Sequence, residues 1–360
     1  MGRILGKFII VALMLLGLPM AGIICAGFKI GHYLEFPPAT RYVDQAPFSW
    51  GVFFGMLVFV AFCVSPFLFR AWISRNIQVK QRGITGHFPW WGYVGAGLGI
   101  AAWVMAWSRF EWFQFFQPHT FTPLWLSYII VVNALTYRRS GTCMMISRPG
   151  YFLLLFPVSS AFWWFFEYLN RFVQNWYYIG VERFSPVEYF VFASLSFATV
   201  LPAVLGTRDY LLTFPLFFSA FGKFGRVNFS SQRSVAAVCL FISGAGLACI
   251  GVFPNVLYPL LWISPMVVIV SLQILAGEKN IFSSLKEGDW RCIIPSAPAA
   301  LVCGFFWEMW NFYSFAKWEY SVPYVHRFVI FEMPVIGFAG YLPFGLECAV
   351  IADFLFGPRK

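Results

Sequence analysis

Ten apolar runs, each near the roughly 20 residues that a membrane-spanning helix needs, follow one another along this 360-residue chain. Apolar residues make up 60% of the chain and charged residues only 11%, which is too few charges to cover a soluble domain. The sequence therefore predicts an all-α polytopic membrane protein with about ten transmembrane helices. The predicted helices cover residues 8–28, 48–69, 90–108, 119–137, 150–172, 187–206, 235–253, 256–276, 293–313 and 330–356.

Two apolar segments need a separate interpretation. The first run follows Arg3 and Lys7, as the core of a signal peptide would, but no small-residue cleavage site comes after it. We therefore expect a helix that is retained. Residues 211–221 are apolar but too few to cross a bilayer, which predicts an interfacial or re-entrant segment.

The distribution of basic residues predicts the orientation of the chain. Eighteen of the 25 lysines and arginines fall on one side when the ten predicted helices alternate in direction. Because basic loops stay in the cytoplasm, we expect both termini to be cytoplasmic. The expected location is a bacterial inner membrane. The same rule explains the net charge of +10 without a nucleic-acid partner. The expected partners are membrane lipids and a lipophilic small molecule.

The sequence contains no recognisable motif for binding a metal ion or a nucleotide. The eight cysteines and four histidines form no CxxC or HExxH pattern, and no phosphate-binding glycine loop precedes a helix. We therefore expect no metal site and no cofactor.

Short matches recur in the same order in the two halves of the chain. The segment Gly-Ala-Gly-Leu at 95–98 returns at 244–247, and a Glu-x-x-Asn pair ends both predicted helix 5 and predicted helix 9. This order predicts a parallel four-helix repeat, formed by helices 3–6 and 7–10. The predicted organisation is two N-terminal helices in residues 1–75, a first repeat in 76–233 and a second in 234–360.

The repeated pairs are Glu167 with Asn170 and Glu308 with Asn311. A spacing of three residues places carboxylate and amide on one helix face. Carboxylates within a membrane usually face the bundle interior and mark a functional site, although glutamates near helix ends can also extend towards the headgroups. We expect the amides and the following aromatic residues to bind substrate. These aromatic residues are Trp176, Tyr178, Trp318 and Tyr320.

Three further glutamates are candidates for acid chemistry. Glu188 and Glu332 are expected to open predicted helices 6 and 10, where the helix dipole alone would favour a carboxylate. Glu347 lies deeper in predicted helix 10 and has no cation near it in the sequence. A structural role therefore explains Glu188 and Glu332 more readily than it explains Glu347.

The pattern of roughly the last 55 residues resembles the lycopene cyclase domain of membrane carotenoid enzymes. The resemblance rests on Trp-Glu-Met-Trp-Asn at 307–311, Trp-Glu-Tyr at 318–320 and Pro-Phe-Gly-Leu-Glu at 343–347. The family pattern is similar, with W-D-x-x-A, W-x-Y/F and P-x-E-E in tandem copies. This chain has Glu in place of the family's Asp, and one carboxylate in place of two. The resemblance implies that a protonated carboxylic acid donates to a polyene and that aromatic faces stabilise the carbocation.

These features predict a cofactor-independent cyclase or isomerase acting on an isoprenoid or carotenoid-like lipid. One alternative is a transporter or channel with a carboxylate-lined path, and another is a non-catalytic lipid-binding subunit of an envelope complex. The candidate catalytic residues are Glu167, Glu308, Glu347, Glu188 and Glu332.

Overall fold

The computed structural model describes residues 2–38, 40–75 and 86–357, which form a mainly helical bundle. Four basic residues that the topology prediction assigns to the inner side lie outside these ranges, namely Lys80, Arg82, Arg359 and Lys360. The first part of the chain contains α1 (Gly2–Ala12), α2 (Leu18–Cys25) and α3 (Trp50–Ser74). A π-helical turn at Leu13–Gly17 joins α1 to α2, so the two form one continuous helical segment.

The described part of the first predicted repeat contains six helices, one strand and one further short helix. The six helices are α4 (Trp90–Trp107), α5 (Phe121–Ser140), α6 (Met144–Ser147), α7 (Pro149–Val173), α8 (Pro186–Phe197) and α9 (Val200–Leu211). Strand β1 (Trp176–Ile179) lies between α7 and α8. Part of the short apolar segment forms a separate helix, α10 (Pro215–Phe221), which packs against α3.

The second predicted repeat contains five helices and three short strands. The helices are α11 (Gln232–Cys249), α12 (Pro254–Leu257), α13 (Ser264–Leu275), α14 (Ser296–Phe312) and α15 (Tyr341–Phe356). The strands are β2 (Lys317–Tyr320), β3 (Val329–Ile330) and β4 (Met333–Pro334).

Seven helical segments of the described chain are long and apolar enough to cross a membrane. They are Gly6–Cys25, Trp50–Ser74, Gln117–Ser140, Pro149–Val173, Pro186–Leu211, Gln232–Cys249 and Val335–Phe356. An eighth is formed if Pro254–Trp262 and Ser264–Leu275 count as one span. The other two predicted spans are helical but do not meet both requirements for a membrane-spanning helix. Helix α14 is too short, with 17 residues. Helix α4 is not apolar enough, because its four glycines and four tryptophans lower its hydropathy. The total of ten stays a prediction.

Predicted helix 8 is not one straight helix. The chain bends by 55° where α13 begins, after a 3-10 turn at Tyr258–Trp262. Pro259 and Pro265 explain the break, since neither can donate the backbone N–H that a continuous helix requires. The start of α13 therefore lies inside the apolar run.

The prediction that helix 10 begins near residue 330 is wrong. The β3–β4 hairpin and a 3-10 turn at Val335–Gly340 occupy this region, and α15 begins only at Tyr341. Phe331 has a φ of 56°, and the residue before a proline disfavours the helical region, so the chain turns before Pro334. Glu332 consequently lies in the hairpin turn and does not open a helix.

Strands β1 and β2 pair in antiparallel register, with Trp176 opposite Tyr320 and Tyr178 opposite Trp318. Because these strands follow α7 and α14, the pairing brings together the ends of the two helices that carry Glu167 and Glu308. We call this the strand end of the bundle. Helix α9 packs against both α7 and α14, and α15 packs against α14.

Candidate functional site

Glu167 is fully buried near the strand end of α7. Its Oε1 atom accepts hydrogen bonds from Trp163 Nε1 at 2.9 Å, Trp176 Nε1 at 3.1 Å and Tyr178 Oη at 2.6 Å. Its Oε2 atom is buried and has no hydrogen-bond partner among the described residues. One oxygen of this carboxyl group thus takes three donors, and the other takes none.

Glu308 has the same asymmetry near the strand end of α14, and it is also fully buried. Its Oε1 atom accepts hydrogen bonds from Tyr320 Oη at 2.7 Å and Tyr341 Oη at 2.6 Å. Trp318 Nε1 donates to Tyr320 Oη at 2.8 Å, so the indole acts on the carboxyl through the phenol. The Glu308 Oε2 atom has no partner within the described ranges.

The two asparagines bind backbone in this structure. Asn170 donates to the carbonyl oxygen of Trp176 at 2.8 Å and accepts from the backbone N–H of Asn175 at 2.8 Å. Asn311 donates to the carbonyl oxygen of Trp318 at 2.7 Å and accepts from its N–H at 2.9 Å. Each amide therefore fixes the strand that carries the aromatic donors of the neighbouring glutamate.

The β1–β2 ladder relates these two arrangements to each other. One of its four residue pairs is Tyr177 with Glu319, and Tyr177 Oη donates to Glu319 Oε2 at 2.7 Å. Burial, together with the Glu319 carboxylate, raises the pKa of Tyr177 to about 12, so the phenol keeps its proton at neutral pH. A local two-fold axis through this pair would exchange Trp176 with Trp318 and Tyr178 with Tyr320.

Glu188 and Glu332 form no hydrogen bond with the two carboxyl clusters, by which we mean Glu167 and Glu308 with their aromatic donors. Glu188 is exposed in the first turn of α8, where it forms a capping box with Ser185. Glu332 forms an ion pair with Lys317 at 2.5 Å, and Lys317 also lies 3.3 Å from Glu319. Neither carboxylate contacts Glu167 or Glu308 through a hydrogen bond, so local structure accounts for both positions.

Glu347 is fully buried in α15, and neither of its carboxyl oxygens has a hydrogen-bond partner among the residues the structure describes. The backbone N–H of Met266, in the first turn of α13, is close enough to interact with it. The positive end of the α13 dipole therefore faces Glu347. The sequence indicated the isolated carboxylate, but not the interrupted helix beside it.

Aromatic rings fill the space between the two carboxyl clusters. Phe344 of α15 contacts Phe166 at a ring distance of 5.6 Å and Trp307 at 6.1 Å, and these residues precede Glu167 and Glu308 directly in the sequence. Trp262 stacks on Phe166 at 5.2 Å and contacts Phe344 at 5.9 Å. The carboxyl groups thus share a buried, aromatic surrounding.

Two donors to the carboxyl groups were not predicted from the sequence. Trp163 lies four residues before Glu167, a spacing that places both on one helix face, so the pattern was available. Tyr341 is 33 residues from Glu308. Only the packing of α15 against α14 brings its hydroxyl group to the carboxyl.

No protein-family model matches this chain, and no curated protein or solved structure is significantly similar to it. Within the described ranges, no group of three or more histidine, cysteine, aspartate or glutamate side chains is arranged to hold a metal ion. The functional argument therefore depends on the geometry of the two carboxyl clusters.

Proposed function

We propose that this protein is an integral membrane enzyme that isomerises or cyclises an isoprenoid or carotenoid-like lipid by acid-initiated chemistry. The observation that carries the proposal is the asymmetry of Glu167 and Glu308. In each carboxyl group, aromatic side chains donate to Oε1, while Oε2 is buried without a partner in the described part of the chain. The resemblance to lycopene cyclase domains points to the same chemistry.

This asymmetry matches a neutral carboxylic acid. A protonated carboxyl group accepts hydrogen bonds at one oxygen and carries a donor on the other. Burying a charged carboxylate without a cation is costly, which favours the neutral form. Arg171 is near Glu167 but donates to the backbone carbonyl groups of Tyr33 and Glu35.

The reaction needs no oxidant or reductant. The O–H bond at Oε2 breaks and a C–H bond forms at one carbon of a double bond, which leaves a carbocation on the substrate. Aromatic faces such as those of Phe166, Trp307 and Phe344 stabilise the cation through their quadrupoles. Loss of a proton from a neighbouring carbon to the carboxylate then restores the acid and completes an isomerisation. For a ring closure, a second double bond of the substrate first attacks the carbocation and forms the C–C bond, and the new cation then loses the proton.

A transporter is the second candidate, and Glu347 favours it. Interrupted helices whose N-termini face a buried charged group are typical of membrane transporters. The start of α13 beside Glu347 has this arrangement. A path lined by Glu167, Glu308 and Glu347 would then carry ions or solutes across the membrane.

We also infer that helices α4–α9 and α11–α15 are two parallel units related by an axis along the membrane normal. The equivalent contacts of Asn170 and Asn311, and the symmetric ladder between β1 and β2, support this inference. It implies ten crossings of a bacterial inner membrane, with both termini in the cytoplasm.

The test compares lipid extracts of cells that express the chain with extracts of cells that do not. We expect a converted polyprenyl or carotenoid lipid only with the intact chain, and its loss in Glu167→Gln and Glu308→Gln variants that still accumulate in the membrane. Glu182→Gln, which changes an exposed glutamate in the loop after β1, serves as the matched control.

Normal conversion by the double Gln variant would contradict the proposed enzyme. Solute flux through proteoliposomes without any change in lipid composition would instead favour the transporter.

A further inference from the structure

A cavity of about 1050 Å³ lies at the end of the bundle opposite the strand end. It is lined by Arg148 just before α7, Arg208 in the last turn of α9, and residues from the end of α13, the start of α11 and the end of α15. Glu167 lies 19 residues along α7 from Arg148, which is roughly 28 Å at the rise of an α-helix. The cavity is therefore separate from the carboxyl clusters.

One wall of this cavity is apolar. Val270 and Ile274 of α13 face it together with Ala352 and Phe356 of α15, and Cys239 of α11 adds a further weakly polar surface. The volume is slightly above the roughly 300–1,000 Å³ that is usual for small-molecule pockets. The wall can therefore accommodate a hydrocarbon chain.

The remaining lining is rich in cations. Lys279 and Lys286 are exposed at the rim, whereas Arg208 is buried. Neither lysine has an ion-pair or hydrogen-bond partner within residues 2–38, 40–75 and 86–357. The cavity thus presents two lysines that are available to a ligand.

The acidic residues of the lining do not neutralise these lysines. Asp289 binds Arg291 at 2.7 Å, and the hydrogen bond from Arg291 holds the pKa of the Asp289 carboxyl below its usual range. This pair is therefore internally neutral. Glu287 and Asp353 also line the cavity, but neither forms an ion pair with the lysines in the described structure.

We propose that this cavity binds a phosphate-bearing amphiphile, with the phosphate at Lys279 and Lys286 and the hydrocarbon chain along α13 and α15. Arg208 is ion-paired with Asp209 at 3.6 Å and is not required as a phosphate donor. Phosphate groups accept charge-assisted hydrogen bonds from lysine and arginine, and an apolar wall next to such donors selects for a lipid tail. The general excess of basic residues in cytoplasmic loops accounts for the side of the membrane on which these lysines lie. It does not account for their position around a cavity that has an apolar wall. The proposal does not depend on the function of Glu167 and Glu308.

The probes are dodecyl phosphate, inorganic phosphate and dodecanol, each titrated into the purified full chain in a non-ionic detergent. The readout is the midpoint of thermal unfolding, because a ligand that binds only the folded state raises it. We expect dodecyl phosphate to raise the midpoint at concentrations where the other two probes do not. An equal effect of inorganic phosphate would show that the ligand is a free anion, and an equal effect of dodecanol would show that the charge is irrelevant. Either result, or no shift at all, would overturn the proposal.

Variants then locate the site. Lys279→Gln combined with Lys286→Gln should weaken the response to dodecyl phosphate by about tenfold or more, since two charged donors are lost. Arg226→Gln combined with Arg233→Gln removes the same charge from exposed positions near the cavity but outside its lining. This control should leave the response unchanged. An equal loss in both double variants would assign binding to the general charge of this face and would overturn the proposed site.

Discussion

Glu167 and Glu308 each depend on phenol groups that come from outside their own helix. Tyr178 reaches Glu167 from β1, and Tyr320 reaches Glu308 from β2. The hydroxyl groups hold Oε1, and Oε2 is buried without a hydrogen-bond partner among the described residues. The orientation of the acid is therefore set by the strands as well as by the helices.

We expect Tyr320→Phe to destabilise the protein by about 1 kcal/mol, the usual net value of a lost hydrogen bond. Lipid conversion should fall by roughly tenfold or more, because the Glu308 carboxyl loses one of the two groups that orient it. Thermal unfolding and lipid analysis of the same preparation measure the two effects. Tyr42→Phe is the control, since that exposed phenol donates only to Asp44. A Tyr320→Phe variant that is less stable yet fully active would limit this phenol to a structural role.

Lys317 predicts a dependence of stability on alkaline pH. Burial lowers its pKa, but hydrogen bonds and charges from Glu332 and Glu319 outweigh burial and hold the pKa above its ordinary value. A raised pKa in the folded state contributes stability that is present below the unfolded value of about 10.4 and is lost as the pH rises through the folded value. Lys317→Met should therefore cost about 1 kcal/mol at neutral pH. The difference from the native chain should shrink above about pH 10.4. Unfolding midpoints measured across this range test the prediction, and a constant difference would contradict it.

Sequence spacing predicted some members of the carboxyl clusters and could not predict others. The recurrence of Glu-x-x-Asn ahead of a Trp-x-Tyr segment was enough to predict that Glu167, Trp176 and Tyr178 belong to one site. The role of Asn170 was not predictable, because helix periodicity gives the face of a side chain and not its partner. The prediction that Glu332 opens a helix was wrong. The apolar residues before Pro334 have the composition of a helix, and only the positive φ of Phe331 shows that the chain turns there.

At the scale of single elements, hydropathy located the long helices of the described residues, but not the short helix α6 or the interruptions within the apolar runs. Hydropathy averages side chains and ignores the backbone N–H groups that prolines lack. The bend between α12 and α13 and the hairpin before α15 both lie at prolines inside apolar runs. These interruptions place the α13 N-terminus beside Glu347.

Gly22 in α2 allows the first helical segment to approach α11 closely. A Cβ atom at this position would lie 1.6 Å from the carbonyl oxygen of Ala248, so the two helices would have to separate. We expect Gly22→Ala to cost about 1–3 kcal/mol, the usual range for an overpacked contact. Gly17→Ala is the matched control, because its Cβ would have no atom within 4 Å. Equal unfolding midpoints for the two variants would show that the first segment does not pack tightly in the folded protein.

At the scale of the whole molecule, the repeat stays a prediction, and the equivalent backbone contacts of Asn170 and Asn311 at the strand end agree with it. The equivalence of Trp176 with Trp318 and Tyr178 with Tyr320 follows from one antiparallel ladder. The sequence could not predict this ladder, because each strand has only four residues and pairs with a partner more than 130 residues away. Hydropathy alone does not fix the number of membrane-spanning helices. Helix α4 is only weakly apolar, and α14 is short, with 17 residues.

The path of α4 provides the final prediction. Gly86, just before this helix, donates its backbone N–H to the carbonyl oxygen of Arg138 near the end of α5, at 3.3 Å. At the other end, Trp107 Nε1 donates to the carbonyl oxygen of Trp310 near the strand end of α14, also at 3.3 Å. Helix α4 therefore extends from one end of the bundle to the other. Helix α5 returns antiparallel to α4, because Gln117 just before α5 donates to the carbonyl oxygens of Met105 and Ala106 near the end of α4. Reporters fused after Arg109 and after Gly141 should consequently lie on opposite sides of the membrane, the first outside and the second inside, together with a reporter at the C-terminus. If the reporters after Arg109 and Gly141 report the same side, then α5 does not cross alone, and the ten-helix topology with cytoplasmic termini is wrong. If these two reporters lie on opposite sides but the C-terminal reporter is outside, then α5 crosses the membrane and an odd number of helices crosses after it.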